Sequence, residues 1–195
     1  MPIDRRRLLE PEQHRDAALF FVATEGAKDE PAYFRGLKDR RVISRSRVRV
    51  VVIPSEDGKS APKHVLDNLE REVYACTRAP QDQHWLVFDR DRWPDAQLHE
   101  AVERARGRHY DVAVSNPGFE LWLLLHFRDV EADAPLRADQ CRRDTHEALS
   151  GIGREQVEAA ISRSSALDTD PRAPWPANPG TRVYRLVEQL LGTTS

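Results

Sequence analysis

Asp89 and Asp91 stand one residue apart at the end of a short apolar run, Trp85-Leu86-Val87-Phe88. The run is too short for a helix and rich in strand formers, which predicts a buried strand. Strand side chains repeat every two residues, so a chain still extended past Phe88 points both carboxylates the same way. That pairing suits a hard divalent cation, since Mg²⁺ takes oxygen ligands, commonly one or two carboxylates with water and phosphate. Aspartates also follow strands simply as turn residues, and the Asp-x-Asp spacing alone does not separate the two readings.

A third carboxylate follows the apolar run Ala17–Thr24, in the pair Glu25-Gly26. Three carboxylates at neighbouring strand ends repel one another unless a cation lies among them. Glu25, Asp89 and Asp91 are therefore candidate ligands for Mg²⁺ or Mn²⁺. Such an ion polarises a phosphoryl oxygen and orients a nucleophile, and a glutamate left off the metal can act as acid or base. Lys28, in the turn after Glu25, is either a phosphate contact or a solvated surface lysine. Arg90 and Arg92 alternate with the aspartates and either turn outward or bind phosphate. Ser115-Asn116-Pro117 opens an apolar helix, with Ser115 or Asn116 as its cap and both as candidate phosphate contacts. Glu120 in its first turn either answers the helix dipole or aims at the crevice that Glu25 and Asp89 face. His84 and His109 flank strands, and His126 on an apolar helix reads as a core histidine.

The elements that must position these residues alternate. Ala17–Thr24 and Val48–Ile53 predict strands, the first apolar enough to be buried on both faces. A helix with Asp29 as its cap carries Tyr33, Phe34 and Leu37. Another follows Ser60, after the loop Glu56-Asp57-Gly58-Lys59, and carries Val65, Leu66, Leu69 and Val73. The Trp85 strand is third, a helix over 96–106 follows, and Asp111–Ser115 is a fourth strand. This alternation predicts a parallel α/β sheet of about four strands flanked by helices. Ligands in such sheets bind beyond the carboxyl ends of strands, where the order reverses. For the carboxylates to meet there, the first and third strands must be neighbours, in an order such as 2-1-3-4. The chain divides into a polar lead-in, residues 1–16, an α/β core, residues 17–128, and a helical C-terminal extension, residues 129–195. Within the extension, 136–149 and 154–165 predict polar helices, 166–178 a loop, and 182–191 an amphipathic helix.

A length of 195 residues and a hydrophobic share of 39% suit one domain. The net charge of -2 speaks against a uniformly basic nucleic-acid binder. The basic residues are nearly all arginine, with lysine only at positions 28, 38, 59 and 63. Arginine pairs bidentately with phosphate, though genome coding bias gives the same composition. Cys76 and Cys141 lie far apart, which excludes a Cys-x-x-Cys motif and points to a reduced, cytoplasmic protein. The amino terminus lacks the apolar segment of a signal peptide. No apolar run reaches the roughly 18 residues of a membrane span.

Taken together, Thr24-Glu25-Gly26, Asp29-Glu30-Pro31 with Tyr33-Phe34, Phe88-Asp89-Arg90-Asp91, the block Ser115-Asn116-Pro117-Gly118-Phe119-Glu120-Leu121-Trp122, and Asn178-Pro179-Gly180-Thr181 resemble the RloB-like family. The resemblance covers most of the chain and is most specific in the Ser-Asn-Pro-x-Phe-Glu-x-Trp block. It implies a Toprim-like variant of the Rossmann-like sheet, in which a glutamate after the first strand and an Asp-x-Asp after the third bind Mg²⁺ for phosphodiester chemistry. Those roles carry over to Glu25, Asp89 and Asp91, and Glu120 joins them as a candidate ligand. The resemblance further implies a nuclease acting on DNA or RNA as an effector in anti-phage defence or abortive infection, alongside an ABC-type ATPase. The rival expectation is a non-catalytic regulatory subunit of such an ATPase. A phospho-accepting receiver domain, which also gathers aspartates at strand ends, would need a late lysine that the sequence lacks.

Overall fold

The computed structural model describes residues 17–44, 46–55, 60–77, 79–133, 135–145 and 148–192. The polar lead-in and the 56–59 loop lie outside them. Five strands form one sheet: β1 (Ala18–Thr24), β2 (Val48–Pro54), β3 (Gln83–Asp89), β4 (Asp111–Asn116) and β5 (Gly180–Thr181). Their order is β2-β1-β3-β4-β5. The first four run parallel, as the alternation of elements requires. The expected order 2-1-3-4 is present. β5 is an addition, antiparallel to β4 and too short to leave an alternation in the sequence.

Continuous apolar runs form the central strands because both sheet faces are covered. Every residue of β1 is buried. Phe20, Val22, Trp85 and Val87 point to one face and Leu19, Phe21, Leu86 and Phe88 to the other. The second face is covered by α2 (Pro62–Ala75) and α3 (Asp95–Arg106), through Val65, Leu69, Leu98 and Val102. The first face is covered by α1 (Asp29–Asp39), α4 (Phe119–Leu125), α6 (Arg154–Leu167) and α7 (Val183–Gly192). α5 (Ala138–Thr145) and a short 3₁₀ turn over Ala148–Gly151 pack beside α4. Tyr33, Phe34, Phe119 and Trp122 are almost wholly buried there. Burying an aromatic or large aliphatic side chain of this kind stabilises the fold by about 1.5–3 kcal/mol relative to exposure. The helices after residue 129 thus share one apolar cluster with the sheet.

The helix starts differ from expectation. α1 begins at Asp29 itself, α2 at Pro62 after Ala61, and α4 at Phe119 after Gly118, and no flanking side chain caps any of them. Asp29, Ser60, Ser115 and Asn116 are therefore not caps. β4 continues through Asn116, and Pro117 follows it through a cis peptide bond, outside the helix. His126, as its apolar neighbours predict, is a core histidine. Its Nε2 faces the Tyr33 hydroxyl at 3.2 Å and its Nδ1 lies 2.8 Å from the Trp122 carbonyl. The Trp122 carbonyl only accepts, so Nδ1 carries the proton and Tyr33 donates to Nε2. Burial lowers its pKa to about 4.

A buried ion cluster that the sequence did not signal fastens the C-terminal loop. Asp168 accepts from Arg182, Arg185 and the Tyr184 hydroxyl. Arg182 also donates to the carbonyls of Ala173 and Asp170, and its backbone N–H reaches the Val114 carbonyl at 2.9 Å. Burial alone would raise the Asp168 pKa, but Arg182, Tyr184 and Arg185 hold it below the ordinary value of 3.8.

Removing one partner of a buried ion cluster strands the other, at a cost of about 3–5 kcal/mol. Arg182→Ala should lower Tm by roughly 6–20 °C for a chain of this size, read by thermal unfolding at pH 7. A depressed carboxylate pKa gives stability that is present above the unfolded value and lost as pH falls through the folded one. The gap between wild type and Arg182→Ala should therefore narrow below about pH 4.

Candidate active site at the carboxyl ends of the central strands

β1 and β3 are hydrogen-bonded neighbours, so their carboxyl ends open side by side. The ladder runs one residue past β1, with the Glu25 N–H donating to the Val87 carbonyl at 3.1 Å. This turns the Glu25 side chain across the end of β3, where it is 1% exposed. Its Oε2 accepts the Asp89 N–H at 3.0 Å, and its Oε1 lies 3.4 Å from Arg92 Nη1. The Trp93 indole N–H is buried without a partner at hydrogen-bonding distance, and it stands beside the same carboxylate and favours its ionised form. Burial nonetheless dominates and raises the Glu25 pKa, against the opposing effects of the Asp89 N–H, Trp93 and Arg92.

Asp89 closes β3 and reaches the other way. Its Oδ1 accepts the Phe119 N–H at 2.9 Å, so a carboxylate from the sheet satisfies one of the open amides at the start of α4. Its other oxygen, Oδ2, and Glu120 Oε2 both lie close to Gly118. A Cβ built on Gly118 would lie 3.4 Å from Asp89 Oδ2 and 2.9 Å from Glu120 Oε2. A glycine here leaves room for both carboxylates. Burial raises the Asp89 pKa well above its ordinary value, and the charges of Glu25, Glu30 and Glu120 add to it against the Phe119 N–H.

Glu30 is the carboxylate that sequence reasoning missed. It is buried in the first turn of α1 and turns back over Gly26, whose N–H donates to Oε1 at 3.0 Å. A Cβ on Gly26 would fall 2.0 Å from Glu30 Oε2, so this glycine also makes room for a carboxylate. Burial pushes the Glu30 pKa up to about 7, with Glu25 and Asp29 adding to the shift. The available signal was its position, five residues after Glu25 and just inside a helix that starts at the same sheet end.

The remaining candidates are placed elsewhere. β3 stops at Asp89, so the two-residue alternation does not extend to Asp91. Asp91 is exposed on the following turn, its N–H donating to the Pro117 carbonyl at 3.2 Å. With Asn116 it lines two open clefts of about 520 and 530 Å³, one towards Trp175 and the other towards Arg137. Asn116 donates to the Pro176 carbonyl. The Ser115 hydroxyl is buried 2.7 Å from that of Thr181, tied to β5 and away from the crevice. Lys28 is exposed at the mouth of the turn. Arg90 donates to the Trp93 carbonyl, pairs with Asp95 and lies over the Trp175 ring. The structure therefore brings together Glu25, Glu30, Asp89 and Glu120, with Arg92 at the rim. Among the described residues, no three His, Cys, Asp or Glu side chains are arranged as a preformed metal-ligand group.

Residues 20–190 match the family model described as RloB-like protein. Comparison with curated proteins and with solved structures gave no match.

A carboxyl whose folded pKa is raised costs stability as pH climbs from its unfolded value through its folded one. Glu30→Gln keeps the acceptor for the Gly26 N–H and removes the charge. Its Tm should exceed that of wild type by several degrees at pH 8, and the difference should fade towards pH 5. Parallel Tm profiles across that range would show that Glu30 is not a source of the strain.

Proposed function

The chain belongs to the RloB-like family, and on that footing we propose that it is a Mg²⁺-dependent, Toprim-like nuclease that hydrolyses DNA or RNA phosphodiesters. The observation that carries this reading is the convergence of buried carboxylates beyond adjoining parallel strands, on Glu25 and Asp89, with Glu120 beside them. Like charges pressed together away from water are costly, and a fold that keeps them gains most from a cation. The donor set fits Mg²⁺ or Mn²⁺, which need one or two protein carboxylates and leave other positions to water and phosphate. Asp89 keeps Oδ2 free of the Phe119 N–H that holds Oδ1. Glu25, Asp89 and Glu120 would hold the ion. When bound, it would polarise a phosphoryl oxygen and lower the pKa of a water.

The chain's own groups supply the rest. The Phe119 N–H fixes Asp89, and the Asp89 N–H fixes Glu25, so both carboxylates are held before substrate arrives. Glu30, its pKa pushed up to about 7 by burial, is partly protonated at neutral pH and in that form can give a proton to a departing oxygen. Arg92, with 56% of its side chain exposed, can leave Glu25 for a substrate phosphate. Asp91 and Asn116 border the clefts along which the nucleic-acid chain would leave the site. The effector role in phage defence and the pairing with an ABC-type ATPase draw their support from the family resemblance.

Glu25→Gln and Asp89→Asn keep hydrogen-bond acceptors at both positions and remove the charges. Each should reduce Mn²⁺- or Mg²⁺-dependent cleavage of plasmid DNA or RNA by at least about a hundredfold. Mn²⁺ should raise the Tm of wild type and leave that of Asp89→Asn unchanged. Cleavage that survives both substitutions would sink the nuclease reading. Wild type that never cleaves, yet co-purifies with a neighbouring ATPase, would favour the regulatory subunit instead.

A further inference from the structure

β2 ends the sheet on the side away from β5, and among the described residues no strand pairs with its outer edge. We propose that this edge pairs antiparallel with β2 of a second copy of the chain, joining two five-stranded sheets into one. The backbone register assigns the open groups. The Ala18 N–H donates to the Arg47 carbonyl at 2.9 Å. Bonding residues alternate along a parallel ladder, so Arg49, Val51 and Ile53 turn their peptide groups towards β1. Val50, Val52 and Pro54 turn theirs outward. Pro54 suits that side because it has no N–H to leave unpaired. At the other end, the Val48 N–H is taken by the Ser44 carbonyl at 3.2 Å. The open edge is thus bounded on both sides, with full donor and acceptor pairs at Val50 and Val52.

That pattern is self-complementary. A two-fold axis through Val51 sets Val50 against Val52 of the partner subunit, and Val52 against Val50 of the partner subunit. Each such pair exchanges two backbone hydrogen bonds, four in all. Arg49 then faces Ile53 of the partner subunit, so the two guanidiniums are not opposed. The window of open groups, closed by Val48 at one end and Pro54 at the other, is symmetric about Val51, as a two-fold pairing of identical strands requires. The edge is seven residues long and rich in β-branched residues, with Arg49 its one charge and its proline only at the last position. Six of its seven residues are half-buried in the monomer. Pairing would cover Val50 and Val52 on the α1 side and Val51 and Ile53 on the α2 side. A cleft of about 400 Å³ runs beside it under α1, with Arg35 and Lys38 as well as Asp39 along its wall, so both signs of charge are present where two copies would meet.

Sedimentation equilibrium at tens of micromolar should show a dimer. Val52→Pro deletes one outward N–H and leaves the bonds to β1 in place, so it should give a monomer with the wild-type circular dichroism spectrum. Val51→Cys places two cysteines across the axis at a non-hydrogen-bonded pair, about 4.5 Å between Cα atoms, within disulfide range. Mild oxidation should cross-link this variant quantitatively, while wild type, whose Cys76 and Cys141 are buried, stays unlinked. A wild-type monomer at these concentrations overturns the proposal. So does a Val51→Cys variant that does not cross-link, whether or not Val52→Pro folds.

Discussion

The hydrogen bond from the Asp89 amide to Glu25 Oε2 joins the ends of the two central strands, and the site is built outward from it. It requires β1 and β3 to be neighbours, which the reversal of strand order provides. It also directs the Asp89 side chain away from Glu25, towards the Phe119 amide. One residue therefore links β1, β3 and α4, by its backbone on one side and its carboxylate on the other. The cost is electrostatic, because Glu25, Glu30 and Asp89 are all pushed towards their neutral forms by burial. Partial compensation comes from fixed N–H dipoles and from Arg92, not from bulk water.

Packing makes that arrangement rigid. Tyr33 on α1 meets Phe34, Phe119, Trp122 and His126 edge-on, with ring centroids 5.3–6.0 Å apart. This cluster fixes α1 against α4, the helices that carry Glu30 and Glu120. The Tyr33–His126–Trp122 hydrogen bonds add direction to contacts that are otherwise apolar. α4 is buried along its whole length, which leaves its first turn little freedom to shift Glu120 away from Asp89.

The four parallel strands were legible because buried strands leave unbroken apolar runs, and the pairing of the first with the third because the carboxylates after them could meet only if those strands were neighbours. Glu25, Asp89 and Glu120 were legible for the same reason, each following a strand or opening a helix next to one. Asp91 was misplaced because the two-residue alternation holds only while the chain stays extended, and β3 ends at Asp89. Asp29, Ser60, Ser115 and Asn116 were misread as caps because good capping residues near a helix say nothing about where its first turn forms. Local sequence could not reveal that the first N–H of α4 donates to the carboxylate of Asp89, 30 residues upstream. The Asp168–Arg182 cluster and β5 depend on pairings 14 and 66 residues apart, which no local pattern encodes. Glu30 was overlooked because a glutamate in the first turn of a helix is ordinary, and its significance lies in its turn back over Gly26.

The burial of α4 has a consequence for how the protein is made. By residue 125 a chain leaving the ribosome has all four parallel strands and every carboxylate of the site. The apolar face of α4 still lacks its cover, because α6 and α7 packed on that side come from residues 154–192. α7 reaches β4 only across the loop fastened by Asp168 and Arg182. The residues of the site are thus translated early and made rigid late, and their alignment depends on helices that emerge after them.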